Sequence, residues 1–245
     1  MKLFSSIAIL ALATAAHAAT PKPAIILVHG AFADASSWSK VIPILEHDGY
    51  SVMAVQIPLT SLADDIATTK RALEGQKGPI VLVGHSYGGA VITGAAAGNP
   101  NVKALVYVAA FAPDANEPLA AAGQKFPAPP LNAALVPDSG GFLYVDRSKF
   151  HDNFCQDLPA PEARVMAATQ KPLHNSAFGA TVPEAGWKTI PTWYIVSSSD
   201  RAINPDLERF YAKRARAKTT EIASSHVSFI SHPKEVVKVI EHAAK

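Results

Sequence analysis

The sequence has almost no cysteine. Cys155 is the only one in 245 residues, so an internal disulfide is impossible. A zinc site built from cysteine thiolates is excluded for the same reason.

Charge is also scarce, since charged residues make up 17% of the sequence and the net charge is only +2. Lysines, arginines and acids are interspersed, without a basic stripe or a run of like charge, so a nucleic-acid partner is not expected. Apolar residues make up 49%, which is ample for a large buried core. We find no internal repeat and no low-complexity linker.

The first 18 residues have the pattern of a secretory signal peptide. Lys2 precedes an apolar run from Leu3 to Ala16, and Ala16-His17-Ala18 fits a small-x-small cleavage site. A buried N-terminal helix or a membrane anchor is the alternative, but the run is too short to span a bilayer. We therefore expect a secreted or periplasmic protein, cleaved near Ala18, with no membrane span.

Apolar runs and helical patterns alternate along most of the chain. Residues 24–28 and 104–109 read as strands buried on both faces, which is typical of a parallel sheet covered by helices. The alternation breaks between Pro113 and Pro191, where 11 of the 19 prolines lie and no strand is evident. We predict an α/β core formed by residues 19–112 and 188–245, with residues 113–187 inserted as a cap of short helices and loops.

The most informative stretch is Gly84-His85-Ser86-Tyr87-Gly88-Gly89. A β-branched apolar run precedes it and small residues suited to a helix follow, so a strand, a sharp turn and a helix are predicted with Ser86 at the apex. Small residues two positions from Ser86 are required because side chains there would collide in so tight a turn. This context favours a nucleophile over an ordinary strand–helix turn.

Serine is a poor nucleophile at neutral pH, so Ser86 needs a base and a group that orients the base. Asp200 and His226 each follow a later predicted strand, and these loops would open on the same sheet edge as Ser86. Asp114 is the rival acid, and Asp200 could instead pair with Arg201 or cap a turn.

Four other histidines compete with His226 for the role of base: His29, His85, His174 and His232. The first two lie beside tight turns, where they could not easily swing towards the hydroxyl. The last precedes Pro233 at a predicted helix start and looks like a cap.

Acyl transfer also needs two donors for the developing oxyanion. We expect the backbone N–H groups of Tyr87 and Ala31, with Gly30 letting the chain approach and Phe32 lining an acyl pocket. The alternative is that His29-Gly30 is only a turn that ends a strand.

Taken together, Val28-His29-Gly30-Ala31-Phe32, the Ser86 turn, Asp200 and His226 resemble the α/β-hydrolase superfamily. The chain is most similar to the branch of plant methylesterases, hydroxynitrile lyases and related bacterial esterases. That similarity rests on His-Gly-Ala followed by Trp38, and on the Ser-Ser-His-Val-Ser-Phe block at residues 224–229.

The resemblance implies a Ser-His-Asp ester hydrolase with a cap between the two halves of the sheet. In the lyases of this branch, a threonine follows the first histidine and a lysine follows the catalytic histidine. Here Gly30 and Val227 occupy those positions, which disfavours cyanohydrin cleavage. Dehalogenases and epoxide hydrolases of the superfamily carry aspartate where this chain has Ser86.

We therefore expect a serine hydrolase acting on a small to medium carboxylic ester, without a metal or organic cofactor. A lactonase, acyltransferase or perhydrolase with the same triad, or a binding protein with little turnover, are the alternatives. Phe142, Tyr144 and Trp187 are further candidates for lining the substrate pocket. The sequence does not determine the oligomeric state.

Overall fold

A computed structural model describes residues 22–245 of the chain. The predicted signal peptide lies outside the described residues. The strands are β1 (Ala24–Val28), β2 (Val52–Val55), β3 (Ile80–His85), β4 (Val102–Val108), β5 (Leu135–Pro137), β6 (Phe142–Val145), β7 (Leu173–His174), β8 (Thr192–Ser197) and β9 (Lys218–Ile222). The α-helices are α1 (Ile42–His47), α2 (Leu62–Glu74), α3 (Tyr87–Ala96), α4 (Phe150–Phe154), α5 (Ala160–Thr169), α6 (Pro205–Arg214), α7 (Ser228–Ser231) and α8 (Pro233–Ala243).

Six strands form one parallel sheet in the order β2-β1-β3-β4-β8-β9. The central strands β1, β3 and β4 are apolar and buried on both faces, as the continuous apolar runs predict. β1 pairs with β3 so that Val28 lies opposite Gly84, which places the ends of both strands at one edge. The predicted α/β-hydrolase fold is confirmed.

Helices cover both faces of this sheet. α2 packs on α3, and α3 packs on β1, β3 and β4, while α8 packs on β3, β4 and β8 and contacts α1. The core lies between these helices and the sheet. Within residues 22–245, no helix is long and apolar enough to cross a membrane.

The inserted segment contains a small antiparallel sheet, β5-β6-β7, in addition to α4, α5 and short 3-10 helices. The expectation that no strand lies between Pro113 and Pro191 is therefore wrong. Each strand has only two to four residues, and β5 carries Pro137, which an edge strand tolerates because its N–H is not needed there. Elements of the segment cover the sheet edge where β3 ends.

Candidate active site

Ser86 occupies a strained turn between β3 and α3. Its backbone has φ 53° and ψ −124°, a conformation that costs a non-glycine residue free energy and persists only where its surroundings enforce it. Ser86 N–H donates to the carbonyl of Val108 at 3.1 Å, and its own carbonyl accepts from Gly89 N–H at 2.9 Å. These bonds hold the hydroxyl out from the end of the sheet.

The small residues around Ser86 are there because the backbone is crowded. A Cβ on Gly84 would lie 2.6 Å from the carbonyl oxygen of Gly88, and a Cβ on Gly88 would lie 2.6 Å from that of His29. A Cβ on Gly30 would lie 2.7 Å from the Cβ of Ser86. All three contacts are far inside van der Waals distance, so the turn and the loop after β1 can approach only without these side chains.

The imidazole of His226 lies in the loop after β9 and contacts the carboxyl group of Asp200. Nδ1 of His226 is 2.5 Å from Oδ2 of Asp200, and both side chains are almost completely buried. Oδ1 of Asp200 accepts the N–H groups of Ala202 at 2.6 Å and Ile203 at 3.0 Å. Because the carboxylate is an acceptor, Nδ1 carries the hydrogen and Nε2 of His226 is left as a base.

Ser86 and His226 line one cavity of about 60 Å³, together with Ala31, Phe32 and Tyr87. Among residues 22–245, the His226 ring bonds to Asp200 and no hydrogen bond joins it to the Ser86 hydroxyl. Catalytic hydrogen bonds of this kind often tighten only when substrate binds.

Two backbone N–H groups beside the cavity are without an acceptor among the described residues. They belong to Ala31 and Tyr87, which both line the cavity. The N–H of Phe32, in contrast, donates to the carbonyl of Lys171 at 2.9 Å. Phe32 has a positive φ of 61°, and the bond to Lys171 holds this strained part of the loop in place.

His29 and His85 are buried, and their rings form structural hydrogen bonds. Nδ1 of His29 donates to the carbonyl of Gly30 at 2.8 Å and its Nε2 accepts Ile57 N–H at 3.2 Å. Burial lowers the pKa of His29 to about 4. Nε2 of His85 donates to the carbonyl of His226 at 3.0 Å, and burial holds the pKa of His85 well below its usual value. His85 therefore supports the loop of the predicted base.

The remaining rivals lie elsewhere. Nδ1 of His174 bonds to the Ser176 hydroxyl in the cap at 2.7 Å, and His232 is the N-cap residue of α8. Asp114 forms a salt bridge with Lys188 and accepts a backbone N–H at 2.6 Å. The structure brings together Ser86, His226 and Asp200. His174, His232 and Asp114 lie outside this group.

Of the four predicted pocket residues, Phe32 lines the cavity. Phe142 and Tyr144 lie on β6, where Phe142 packs edge-on against His174 and Tyr144 is exposed. Nε1 of Trp187 donates to the carbonyl of Pro113 at 2.9 Å. These three are not among the residues that line the cavity, because the small cap sheet holds two of them away from it and a separate 3-10 helix, Gly186–Lys188, holds Trp187.

Other apolar cap side chains take their place. The ring centroids of Phe154 and His226 are 5.0 Å apart. Leu119, Leu131 and Phe178 also line the cavity. A second cavity of about 340 Å³ adjoins the first and shares five lining residues with it. They are Phe111, Asn132, Phe178, Ala202 and Ile203. A larger chamber, which we call the outer chamber, thus lies directly beside the cavity that Ser86 and His226 line.

Several residues that support the site were not predicted from the sequence. Asp157 in the cap accepts Ser225 N–H at 2.9 Å, beside His226. Asp65 on α2 accepts the Tyr87 hydroxyl at 2.6 Å, and burial raises the pKa of Asp65. No signal in the sequence pairs Asp65 with Tyr87.

The sequence profile described as the alpha/beta hydrolase family matches residues 25–239. An alpha/beta hydrolase of Aspergillus novofumigatus is 28% identical over 91% of this chain and 97% of its own. Methylesterase 7 of Arabidopsis thaliana is 29% identical over 88% of this chain and 94% of its own. The predicted resemblance to the branch of plant methylesterases is confirmed.

Solved structures have the same fold. The crystal structure of a pyrethroid hydrolase from Sphingobium faniae JZ-2 superposes with a TM-score of 0.77 at 24% identity, covering 91% of this chain and 97% of that one. At this identity the similarity concerns the fold alone.

Proposed function

Because the chain belongs to the alpha/beta hydrolase family, we propose that it is a serine hydrolase that cleaves a small to medium carboxylic ester through an acyl-enzyme. The observation that carries the proposal is the 2.5 Å contact between His226 and Asp200, in a cavity that Ser86 also lines. The names of relatives such as the Arabidopsis methylesterase support ester cleavage.

In the proposed mechanism, Nε2 of His226 takes the proton of the Ser86 hydroxyl as its oxygen attacks the ester carbonyl. The N–H groups of Ala31 and Tyr87 bind the oxyanion of the tetrahedral intermediate. His226 then protonates the leaving alcohol, which yields an acyl-enzyme on Ser86. Water enters, His226 removes its proton, and a second tetrahedral intermediate collapses to release the acid and restore the serine.

Asp200 orients the base and stabilises its cation. Its carboxylate keeps the hydrogen of His226 on Nδ1, so that Nε2 faces the hydroxyl with a free lone pair. Two backbone N–H groups fix the other carboxylate oxygen, so Asp200 cannot rotate away from the ring.

The cavities support an ester with one compact and one larger apolar part. The inner cavity of about 60 Å³ has room for only a few heavy atoms, since one water needs roughly 10–15 Å³ by such a measure. The outer chamber is more than five times larger and is lined by Phe111, Phe126 and Phe178 among others. We expect the compact part at Ser86 and the larger part in the outer chamber.

A fluorophosphonate probe tests the nucleophile. We expect rapid covalent labelling of the protein and none of the Ser86→Ala variant. Ser39→Ala is the matched control because Ser39 is exposed and should leave labelling unchanged. A native protein that resists the probe would contradict the proposal and favour a binding protein with little turnover.

An ester panel of increasing acyl length tests the base and the substrate. His226→Ala should lower kcat/KM by roughly a thousandfold or more, as expected for loss of a triad member. His242→Ala, which removes an exposed histidine of α8, should leave it unchanged. Equal rates for native protein and His226→Ala would refute the assignment. Turnover of lactone substrates would reveal a lactonase, and added alcohols or peroxide as competing acyl acceptors would reveal an acyltransferase or a perhydrolase.

We also propose that the chain is exported and cleaved near Ala18. Lys2, the apolar run and Ala16-His17-Ala18 support this. Expression of the full sequence in a bacterium, followed by N-terminal sequencing of the periplasmic fraction, should give a start at or close to Ala19. Full-length protein retained in the cytoplasmic fraction would contradict the proposal.

A further inference from the structure

The loops that carry Asp200 and His226 lie side by side at one edge of the sheet. They follow β8 and β9, and β9 is the last strand in the order. One backbone hydrogen bond joins the two loops, because the N–H of Ser199 donates to the carbonyl of Ser224 at 3.1 Å. The contact between the base and its orienting acid therefore depends on what else holds these loops.

Two consecutive residues of the cap hold one loop each. Nε2 of Gln156 donates to the carbonyl of Ser199 at 2.6 Å, and Oδ2 of Asp157 accepts the N–H of Ser225 at 2.9 Å. The amide of Gln156 must present its nitrogen there, because its oxygen would meet a second acceptor. Together with the bond from Ser199 to Ser224, these contacts close a ring through the cap and both loops. We call residues 155–158 the clamp turn.

The peptide unit that precedes the side chain of Asp200 is held at both ends. Its carbonyl, on Ser199, accepts from Gln156, and its N–H donates to the carbonyl of Ser197 at 3.1 Å. A planar peptide unit that is bonded on both sides cannot rotate without breaking one of the two hydrogen bonds. Loss of the bond from Gln156 would leave one side free.

The peptide unit that joins Ser224 to Ser225 is held in the same way. Its carbonyl accepts the N–H of Ser199, and its N–H donates to the carboxylate of Asp157. His226 follows directly in the chain, so the direction in which the backbone enters the base is set by these two bonds.

The clamp turn is itself held and lies against the base. The N–H of Leu158 donates to the carbonyl at the start of the turn at 3.0 Å, and the carbonyl of Leu158 accepts from Nε2 of His151 at 2.8 Å. Phe154, directly before the turn, packs edge-on against the ring of His226. The cap thus contacts the base from the side and fixes its loop from behind.

We propose that Gln156 and Asp157 are positioning residues, through which the cap holds Asp200 against Nδ1 of His226. The inference rests on the proposed function, since it concerns the same base and orienting acid. Neither residue is among those that line the cavity beside Ser86. Loss of either hydrogen bond should therefore slow the chemical step and leave substrate binding unchanged.

The variants of Asp157 separate the hydrogen bond from other effects. Asp157→Ala removes the acceptor for Ser225, and we expect kcat to fall roughly fivefold to thirtyfold with KM within about twofold. Asp157→Asn keeps a carbonyl oxygen as acceptor and should retain kcat within about threefold. Asp152→Ala, which removes an exposed acid from α4, is the control and should leave kcat unchanged. If Asp157→Asn is as slow as Asp157→Ala, the hydrogen bond is not the cause and the proposal fails.

The variants of Gln156 test the other half of the ring. Gln156→Met fills the same space without a donor, and Gln156→Glu places a second acceptor against the carbonyl of Ser199. Both should lower kcat by roughly the same factor as Asp157→Ala, again with little change in KM. Native kcat in both would overturn the proposal. These variants also decide if Asp157→Ala does not fold.

Counting active sites excludes a merely structural role. Titration with the fluorophosphonate probe gives the number of reactive serines, so kcat can be expressed for each of them. A turn that only stabilised the fold would leave fewer active molecules, each with native kcat. That result for Asp157→Ala would contradict positioning.

A readout without turnover separates this inference from the proposed function. The proton between Nδ1 of His226 and Asp200 should give a downfield proton NMR signal, assigned by its loss in His226→Ala. In a Ser86→Ala background, Asp157→Ala and Gln156→Glu should shift or broaden that signal, and Asp157→Asn should preserve it. A signal that Asp157→Ala and Gln156→Glu leave unchanged would overturn the role of the clamp turn. Failure of the native protein in probe labelling and ester cleavage would instead overturn the proposed function.

Discussion

At the scale of single residues, the surroundings of Asp200 decide what its replacement would do. Its Oδ1 accepts two backbone N–H groups, so an asparagine there would keep its carbonyl oxygen in that place. The amide nitrogen would then face Nδ1 of His226 in the position of Oδ2. An amide donates, so Nδ1 would have to accept and the hydrogen would move to Nε2.

Asp200→Asn should therefore leave the fold intact and remove the base. We expect kcat to fall by roughly a thousandfold to ten thousandfold, with a small change in the free energy of unfolding. Ester hydrolysis and urea unfolding measure the two quantities.

Asp114→Asn is the matched control, because Asp114 was the rival acid and pairs with Lys188 in the structure. It should keep kcat within about twofold, as expected for an exposed ion pair. A larger loss of kcat in Asp114→Asn than in Asp200→Asn would reverse the assignment of the orienting acid.

At the scale of elements, β3, the Ser86 turn and α3 form the unit on which the site depends. α3 begins directly after Ser86, and its first turn packs against the carbonyl oxygens of Val28 and His29 at the end of β1. A side chain on Gly88 would lie 2.6–2.7 Å from these oxygens, so helix and strand would have to separate.

Gly88→Ala should thus lower both stability and activity. We expect a loss of about 1–3 kcal/mol in the free energy of unfolding, the usual cost of overpacking, and a fall in kcat because Ser86 moves with the helix. Gly179→Ala is the control, because nothing lies within 4 Å of a Cβ at that position. If both variants unfold at the same urea concentration, the crowding at Gly88 is not limiting.

The same elements show how much could be predicted from the sequence. β1 and β4 are continuous apolar runs, and the turn after β3 has a recognised pattern of small residues, so the sheet and the site at its edge could be predicted. Asp200 and His226 were identifiable because each follows a strand and the ends of parallel strands meet at one edge.

The cap and the supporting residues could not be predicted in the same way. β5, β6 and β7 are too short to show a period, and β6 and β7 pair across 27 or more intervening residues. The sequence therefore did not indicate on which face of the cap sheet Phe142 and Tyr144 lie. Glu208 lies between Leu207 and Arg209 on an amphipathic helix, and its burial becomes visible only when α6 packs on β8.

At the scale of the whole molecule, buried titratable groups link stability to pH in two opposite directions. His29 and His85 are held neutral, with pKa values below the usual one. Glu208 and Asp65 have raised pKa values. The unfolded chain binds more protons than the folded chain at the two histidines and fewer at the two acids, so the two sets oppose each other between about pH 4.5 and pH 6.5, and stability should fall on either side of that range.

On the acid side, His29 should dominate together with His85. The pKa of His29 is about 4 in the folded chain against 6.5 when unfolded, so its contribution is fully present above pH 6.5 and is lost as pH falls towards 4. The loss should be about 1.4 kcal/mol per pH unit, or about 3 kcal/mol in all. Urea unfolding of His29→Gln should show a flatter dependence over this range, whereas His242→Gln should retain the native slope.

On the alkaline side, Glu208 should act in the opposite sense. Its folded pKa lies well above the ordinary 4.5, so its contribution is fully present below that value and is lost as pH rises towards the folded pKa. The expected loss is again about 1.4 kcal/mol per pH unit. Glu208→Gln carries no titrating proton, so its free energy of unfolding should gain on that of the native protein with each pH unit above about 4.5, while Asp206→Asn should not. Parallel curves for Glu208→Gln and the native protein would mean that Glu208 is ionised in the folded chain.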